Sequence, residues 1–279
     1  MGANIKQIKS RLKSVDSTLH ITKAMQLVAS SKVRRAQIAA EGSTAYAKAM
    51  RGAFLDLVSK DTEGSLFVTP PRIGITCYIL IAGDRGLAGG YNSNLFRLTE
   101  TEATDAHAVY LPIGKRAADY CRRRGLTLVT EETVSSEKLT DCQLAALSDL
   151  LCDGFRAHRF DAVKLIHTKL LSVLSQEAAC TPLLPLPVPQ KAVAAVTLYE
   201  PDPETLMSRA VSDYLAASIA ASVRESFLCE LYARRNAMDS ASQNAEEMIA
   251  SLSLQYNRAR QSSITQEITE IVAGAEGQQ

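Results

Sequence analysis

The chain of 279 residues has no tryptophan, only 5% aromatic residues and a formal net charge of +1. No stretch approaches the roughly 18 to 20 consecutive apolar residues that cross a bilayer, and the opening MGANIKQIKSRLK has no apolar signal core. The expectation is a chain that stays on the side of the membrane where it is made. The six cysteines (Cys77, Cys121, Cys142, Cys152, Cys180, Cys229) contain no C-x-x-C pair, so neither a zinc site nor a disulfide framework is signalled. Most sit in apolar surroundings, where a free thiol serves as a small core residue, and this predicts a reducing compartment. The four histidines show no H-E-x-x-H spacing, and the adjacent Glu246 and Glu247 diverge by about 100° on a helix. No catalytic, cofactor-binding or metal-ligating residue is therefore expected. At 46% hydrophobic residues the chain is nevertheless rich enough in apolar side chains to fold, which excludes a disordered or collagen-like protein.

Two further absences define the organisation. Neither glycine nor proline occurs from Ala3 to Glu41, or over the seventy residues from Glu204 to Ala273, while residues 70–203 hold all nine prolines. Two long helices flanking a separate central domain follow, with boundaries at 1–60, 70–203 and 204–279. At about 1.5 Å per residue the second helix would reach roughly 105 Å, too long to be buried in its own globule. The near-zero charge also hides a polarity. Residues 1–35 carry eight Lys or Arg against one acid, about +7, whereas residues 200–279 carry six Arg against twelve acids, about −6. Opposite ends of this kind either pair with each other or leave the basic one facing an acidic partner.

In the N-terminal segment Ile5, Ile8, Leu12, Val15 and Leu19 recur at alternating spacings of three and four, a coiled-coil seam. Past Leu19 the apolar residues become smaller or displaced (Ile21, Ala24, Met25, Val28, Ala29) before the basic cluster Lys32, Arg34 and Arg35, which predicts a change of face. The C-terminal segment repeats the seam spacing at Met238, Ala241, Ala245, Met248 and Leu252, and ends in Ile264, Ile268 and Ile271. Because a whole domain separates the two helices, the chain leaves along one and returns along the other. An antiparallel intramolecular coiled coil is the expected result, and on pattern alone a structural stalk or dimerisation arm is the plainer use for it.

The central region alternates strand and helix patterns. A strand over Ile73–Ala82 ends in the turn GDRGLAGGYN, a helix follows over Leu95–Ala103, and then come a strand HAVYLPI, a helix KRAADYCRRR and a strand LTLV. A helix over Asp141–His158, a strand DAVKLIHTKL and a final strand AVAAVTLY complete it. Such alternation predicts a mainly parallel, Rossmann-like sheet, so the fold class is α+α/β. The loop glycines Gly83, Gly86, Gly89 and Gly90 stand where phosphates usually bind. Their spacing matches neither G-x-G-x-x-G nor G-x-x-x-x-G-K-[ST], and a turn stabilised by Asp84 and Arg85 is expected instead.

Three stretches together resemble the γ subunit of F-type ATP synthases of the bacterial kind: KSVDSTLHITKAMQLVASSKVRRAQ from Lys13, the loop GDRGLAGGYNSNL from Gly83, and ARRNAMDSASQNAEEMIASLSLQYNRARQSSITQEITEIVAGAE from Ala233. The resemblance runs end to end, and residues 105–200 carry it mainly as pattern. It implies a rotor shaft that couples transmembrane proton flow through a c-ring to sequential conformational change in a ring of three α and three β subunits, where ATP is made or hydrolysed. Implied partners are α, β, ε and the c-ring, with one copy per complex and no nucleic acid. ATP, ADP and magnesium would sit on the α and β partners, and this chain would be a non-catalytic subunit binding no cofactor.

By the same resemblance Met25 faces β, Lys32, Arg34 and Arg35 meet acidic segments of β, Arg260 and Gln261 hydrogen-bond a β loop, and Thr265 and Glu267 neighbour them. The apolar tip after Ile264 would turn inside an apolar collar of the ring. The chain shows neither a cysteine-bearing insert of the chloroplast type nor a mitochondrial presequence, so the expected place is the cytoplasmic face of a bacterial plasma membrane. Two other classes fit the residues alone. A coiled-coil scaffold predicts self-association of the chain, and a nucleotide-dependent enzyme predicts saturable nucleotide binding.

Overall fold

The computed structural model describes residues 2–58, 67, 74–103, 107–186 and 203–276. Ten elements follow in order: α1 (Gly2–Val58), β1 (Thr76–Ile81), α2 (Tyr91–Glu102), β2 (Val109–Ile113), α3 (Lys115–Arg124), β3 (Thr127–Leu128), α4 (Asp141–Arg156), β4 (Ala162–Leu170), β5 (Gln176–Leu184) and α5 (Pro203–Glu276). The long helices are unbroken as expected, and α1 runs on through Gly42 and Gly52, where an added Cβ would meet nothing within 4 Å. Glycine inside a helix costs about 1 kcal/mol relative to alanine, which a helix of 57 residues tolerates twice. The anticipated strand AVAAVTLY lies outside the described residues. The chain divides into two compact units, one of Met1–Ser31 with Arg234–Gln279 and the other of Lys32–Ala233.

In the larger unit a five-stranded sheet has the order β3-β2-β1-β4-β5. The first four strands are parallel, and β5 is an antiparallel edge strand paired with β4. The sequence pattern does not reveal β5, whose run QEAACTPLL has little alternation and carries Pro182. Proline cannot donate to a ladder, but an edge strand has one unpaired side where that donor is not needed. Alternate residues of β1 divide between two cores. Cys77, Ile79 and Ile81 face α4 and the first part of α5, while Tyr78 and Leu80 face α2 and α3. Helix α4 starts at a capping box in which Thr140 Oγ1 accepts from Gln143 N and the Gln143 side chain accepts from Thr140 N. It ends at Arg156, short of His158, which takes a left-handed φ of 51°.

Within this unit the second half of α1 packs on α5 through Ala36 and Ala40 against Leu228, Leu231 and Tyr232. In the smaller unit Thr22 Oγ1 lies 2.7 Å from Ser242 Oγ, Gln26 donates to Asp239 over 2.7 Å, and Lys23 pairs with Glu246 at 2.7 Å. Residue numbers rise on one helix as they fall on the other, so the pairing is antiparallel. The seam differs from the expected one in two respects. It does not change face after Leu19 but keeps its spacing through Thr22 and Ala29, both buried, leaving Ile21 60% exposed and Val28 56% exposed. On α5 the expected Met238, Ala241, Ala245 and Leu252 are buried or half-buried, with Ser242 and Ile249 joining them, but Met248 points out at 44% exposure. The small and hydroxyl-bearing residues Thr22, Ala29, Ser242 and Ala245 let the two backbones approach, and Met238, Ile249 and Leu252 fill the seam between them.

Candidate functional site

The first place to look for a ligand in a sheet of this topology is the crevice beyond the carboxyl ends of the strands, where the order reverses between β1 and β4. Here that crevice is filled by α5. Ser226 Oγ accepts from Thr168 N at 3.1 Å, and the Glu225 carboxylate accepts from Leu170 N at 3.1 Å, both just at the end of β4. Glu230, only 3% exposed, lies so close to the first loop glycine that a Cβ on Gly83 would sit 2.7 Å from its Cδ. Tyr91 is buried nearby, and its hydroxyl is held far above the ordinary phenol value by burial, with the charge of Glu230 adding to the effect. A buried carboxylate is the opposite of what a phosphate requires in this position.

The glycine-rich loop is organised around Asp84, but not by Arg85, which is exposed. Asp84 Oδ1 accepts from Lys115 N at 3.0 Å, and its Oδ2 accepts from Ser135 Oγ at 2.6 Å, Ser136 Oγ at 3.3 Å and Glu137 N at 3.1 Å. Burial alone would raise this carboxyl, but the four hydrogen bonds outweigh it and hold it below the usual carboxylate range. The expected Asp84–Arg85 pair is thereby replaced by a clamp between the β1 turn and the segment before α4. Of the loop glycines, Gly89 takes a left-handed φ of 55°. The most constrained glycine lies elsewhere: Gly114, between β2 and α3, has φ 97°, and a Cβ there would come within 2.0 Å of Ala82 O.

The candidate contact residues fall on both units. In the larger unit Lys32 reaches Glu137 over 2.5 Å, so the Asp84 clamp also steadies the acid that holds the first member of the basic cluster. Arg34 and Arg35 are exposed, as is the neighbouring Ile38 at 64%. In the smaller unit Met25 is half-buried on the seam. Arg260, Gln261, Thr265 and Glu267 are exposed and lie within two turns of α5. Thr265 donates to Gln261 O at 2.9 Å, and Glu267 accepts from Ser263 at 3.2 Å. Beyond them Ile264, Ile268 and Ile271 are exposed at 45%, 55% and 71%. The structure thus brings together the members of each cluster, and it adds Glu137, which no sequence signal linked to Lys32 across a separation of 105 residues.

Other chemistry-bearing groups are committed to packing. Burial pushes the thiols of Cys77 and Cys229 up to about 12 and those of Cys121 and Cys152 to about 11, while Cys142 is exposed. Among the described residues no three His, Cys, Asp or Glu side chains cluster as metal ligands would, and no helix is long and apolar enough to cross a membrane.

Together these features define a class of protein: two long helices that pack on each other within each compact unit, and a Rossmann-like sheet whose crevice is closed by one of them. The ATP synthase family model matches residues 4–277. The chain is 40% identical to the ATP synthase gamma chain of Ruminococcus albus over 96% of each chain, and 37% identical to the sodium ion specific ATP synthase gamma chain of Acetobacterium woodii over 99% of each. Its fold is similar to a chain of the Euglena gracilis mitochondrial ATP synthase, with TM-score 0.73 at 17% identity over 99% of this chain and 95% of that one. It is also similar to a chain of the Tetrahymena thermophila mitochondrial ATP synthase central stalk and c-ring, with TM-score 0.63 at 22% identity over 80% and 99%. The chain belongs to the ATP synthase gamma chain family.

Proposed function

We propose that the chain is the central rotor shaft of a bacterial F-type ATP synthase, present once per complex. It would transmit ion-driven rotation of a c-ring, with ε docked at its foot, to a ring of three α and three β subunits at the cytoplasmic face of the plasma membrane. The observation that carries this reading is the pair of uninterrupted helices α1 and α5, which pack on each other within each of the two compact units. A shaft can bias the conformations of three β subunits only if it touches each differently and does not itself yield, so it requires asymmetry and stiffness together. Close antiparallel packing supplies the stiffness. The exposed Arg34 and Arg35 and the exposed surface at Arg260 to Glu267 supply candidate grips, and exposed charges let contacts break and reform as the angle changes.

The crevice argues in the same direction for the chemistry. With Glu230 against Gly83 and Ser226 on the end of β4, the sheet serves as a platform for α5, and nucleotide and magnesium would be held by the α and β partners. The test is co-expression with the α and β subunits of the same organism. One copy per ring, with hydrolysis lost on deleting residues 264–279 and impaired by replacing Arg260 and Gln261 with alanine, is the expected outcome. Incorporation in threefold number, or none, would sink the single-shaft reading and favour a scaffold.

A further inference from the structure

The larger unit contains a solvent-open groove of about 810 Å³ that the shaft reading does not use. Its first wall is one face of α1, where Thr44, Ala47, Lys48 and Arg51 recur at helical spacing. The floor is formed by alternate residues of β4, Leu165, His167 and Lys169, with Thr181 and Leu183 of β5 beside them. The second wall is α5, through Tyr214, Ser218, Ala221, Ser222 and Glu225. The volume lies within the roughly 300–1,000 Å³ of small-molecule sites.

The lining chemistry is divided. Ala47, Pro182, Pro185 and Ala221 make the accessible apolar lining, over a buried floor of Leu165, Leu183, Leu186 and Tyr214 in which Tyr214 is fixed by stacking on Phe54 with ring centroids 5.2 Å apart. Lys48, Arg51 and Lys169 are exposed cations without a carboxylate partner among the described residues. Against these three stands Glu225, already engaged by Leu170 N. His167 brings no charge, since burial, aided by Lys169, pushes it down to about 4. Its Nε2 lies 3.3 Å from Thr181 Oγ1, and its buried Nδ1 has no hydrogen-bond partner among the described residues.

The cations stand in mid-helix and at the end of a strand, and the backbone amides of those helices are spent on their own ladders. No row of free N–H groups is offered to a polyphosphate. What fits is a compact single anion at the rim, matched by the fork of Arg51, on a body that prefers to leave water. We propose that this groove binds a small amphiphilic carboxylate, with its apolar chain along Ala47, Pro182, Pro185 and Ala221 and its head against Lys48, Arg51 and Lys169.

The test is calorimetric titration of the full chain with decanoate below its micelle concentration, with decanol and decyltrimethylammonium as chain-matched controls. One decanoate per chain is expected, with decanol at least about tenfold weaker and the cation not competing. Replacing Lys48 and Arg51 together with glutamine should weaken decanoate about tenfold or more while leaving decanol unchanged. Both side chains are exposed, so the fold should be retained, as circular dichroism would check. A second variant, Ala221→Phe, fills the apolar part of the groove and should abolish binding of decanoate and decanol alike. No binding at millimolar decanoate, several equivalents per chain, equal affinity for decanol, or decanoate affinity undiminished in either variant would each overturn the proposal.

Discussion

Asp84 and Gly114 show how much of the central domain depends on single residues. Asp84→Ala removes an acceptor that holds the segment at Ser135–Glu137 to the end of β1. Because the carboxylate is half-exposed, the expected loss is about 2 kcal/mol rather than the sum of its bonds. Its folded pKa is depressed, so its contribution is fully present above the ordinary carboxylate value of about 4 and is lost as pH falls through the lower folded value. Urea midpoints should therefore separate wild type from Asp84→Asn at pH 7 and converge towards pH 3. His167 acts over a different window. Kept neutral by burial down to about 4, it leaves the unfolded chain to take up the proton first. Stability is full above about 6.5 and falls as pH drops from there towards 4. Replacing His167 by glutamine should flatten that slope. Gly114→Ala is the harsher change, since it forces a Cβ against Ala82 O at a left-handed backbone, and a loss of more than about 3 kcal/mol or failure to fold is expected on thermal unfolding.

At the scale of elements, the continuity of the α1 seam can be tested directly. Ala29 is 2% exposed, so Ala29→Leu should wedge the helices apart and cost about 2 to 3 kcal/mol. Ile21→Ala, at an exposed position, should change stability by under about 0.5 kcal/mol. The reverse ranking in denaturant unfolding would mean that the seam does change face after Leu19. This position also marks where sequence reading succeeded and where it failed. The long helices were legible because proline and glycine punctuate the chain so unevenly, and β1 and β2 because buried parallel strands are apolar on both faces. The seam beyond Leu19 was not legible: hydrophobicity ranks Ile21 above Thr22, whereas close packing of two helices selects for size. The edge strand β5 was hidden by Pro182. Of the candidate surface, Lys32, Arg34 and Arg35 stand out as a charge cluster, but the Lys32–Glu137 pair depends on a fold that brings together residues far apart in the chain. Arg260, Gln261, Thr265 and Glu267 carry no signal beyond resemblance, because nothing in an exposed helical face says what will cover it.

At the scale of the whole molecule, a shaft differs from a globular domain in that its most consequential residues can be those that contribute least to its own stability. Arg34 and Arg35 are exposed, whereas Lys32 is tied to Glu137. Reversing Arg34 and Arg35 to glutamate should leave the unfolding of the isolated chain within about 0.5 kcal/mol of wild type, because surface charges away from a packed contact have little effect on folding. In a reconstituted complex the same change places two negative charges where the basic excess of residues 1–35 is proposed to meet acid on β. Rotation-coupled ATP hydrolysis should fall at low ionic strength and recover in part as salt shortens the Debye length from about 10 Å at 0.1 M to about 3 Å at 1 M. Wild type should show the opposite trend, with its attraction weakened by the same salt. A salt response identical in the two complexes would mean that this face turns without touching the ring, and the grip would then have to lie with Arg260, Gln261 and their neighbours on α5.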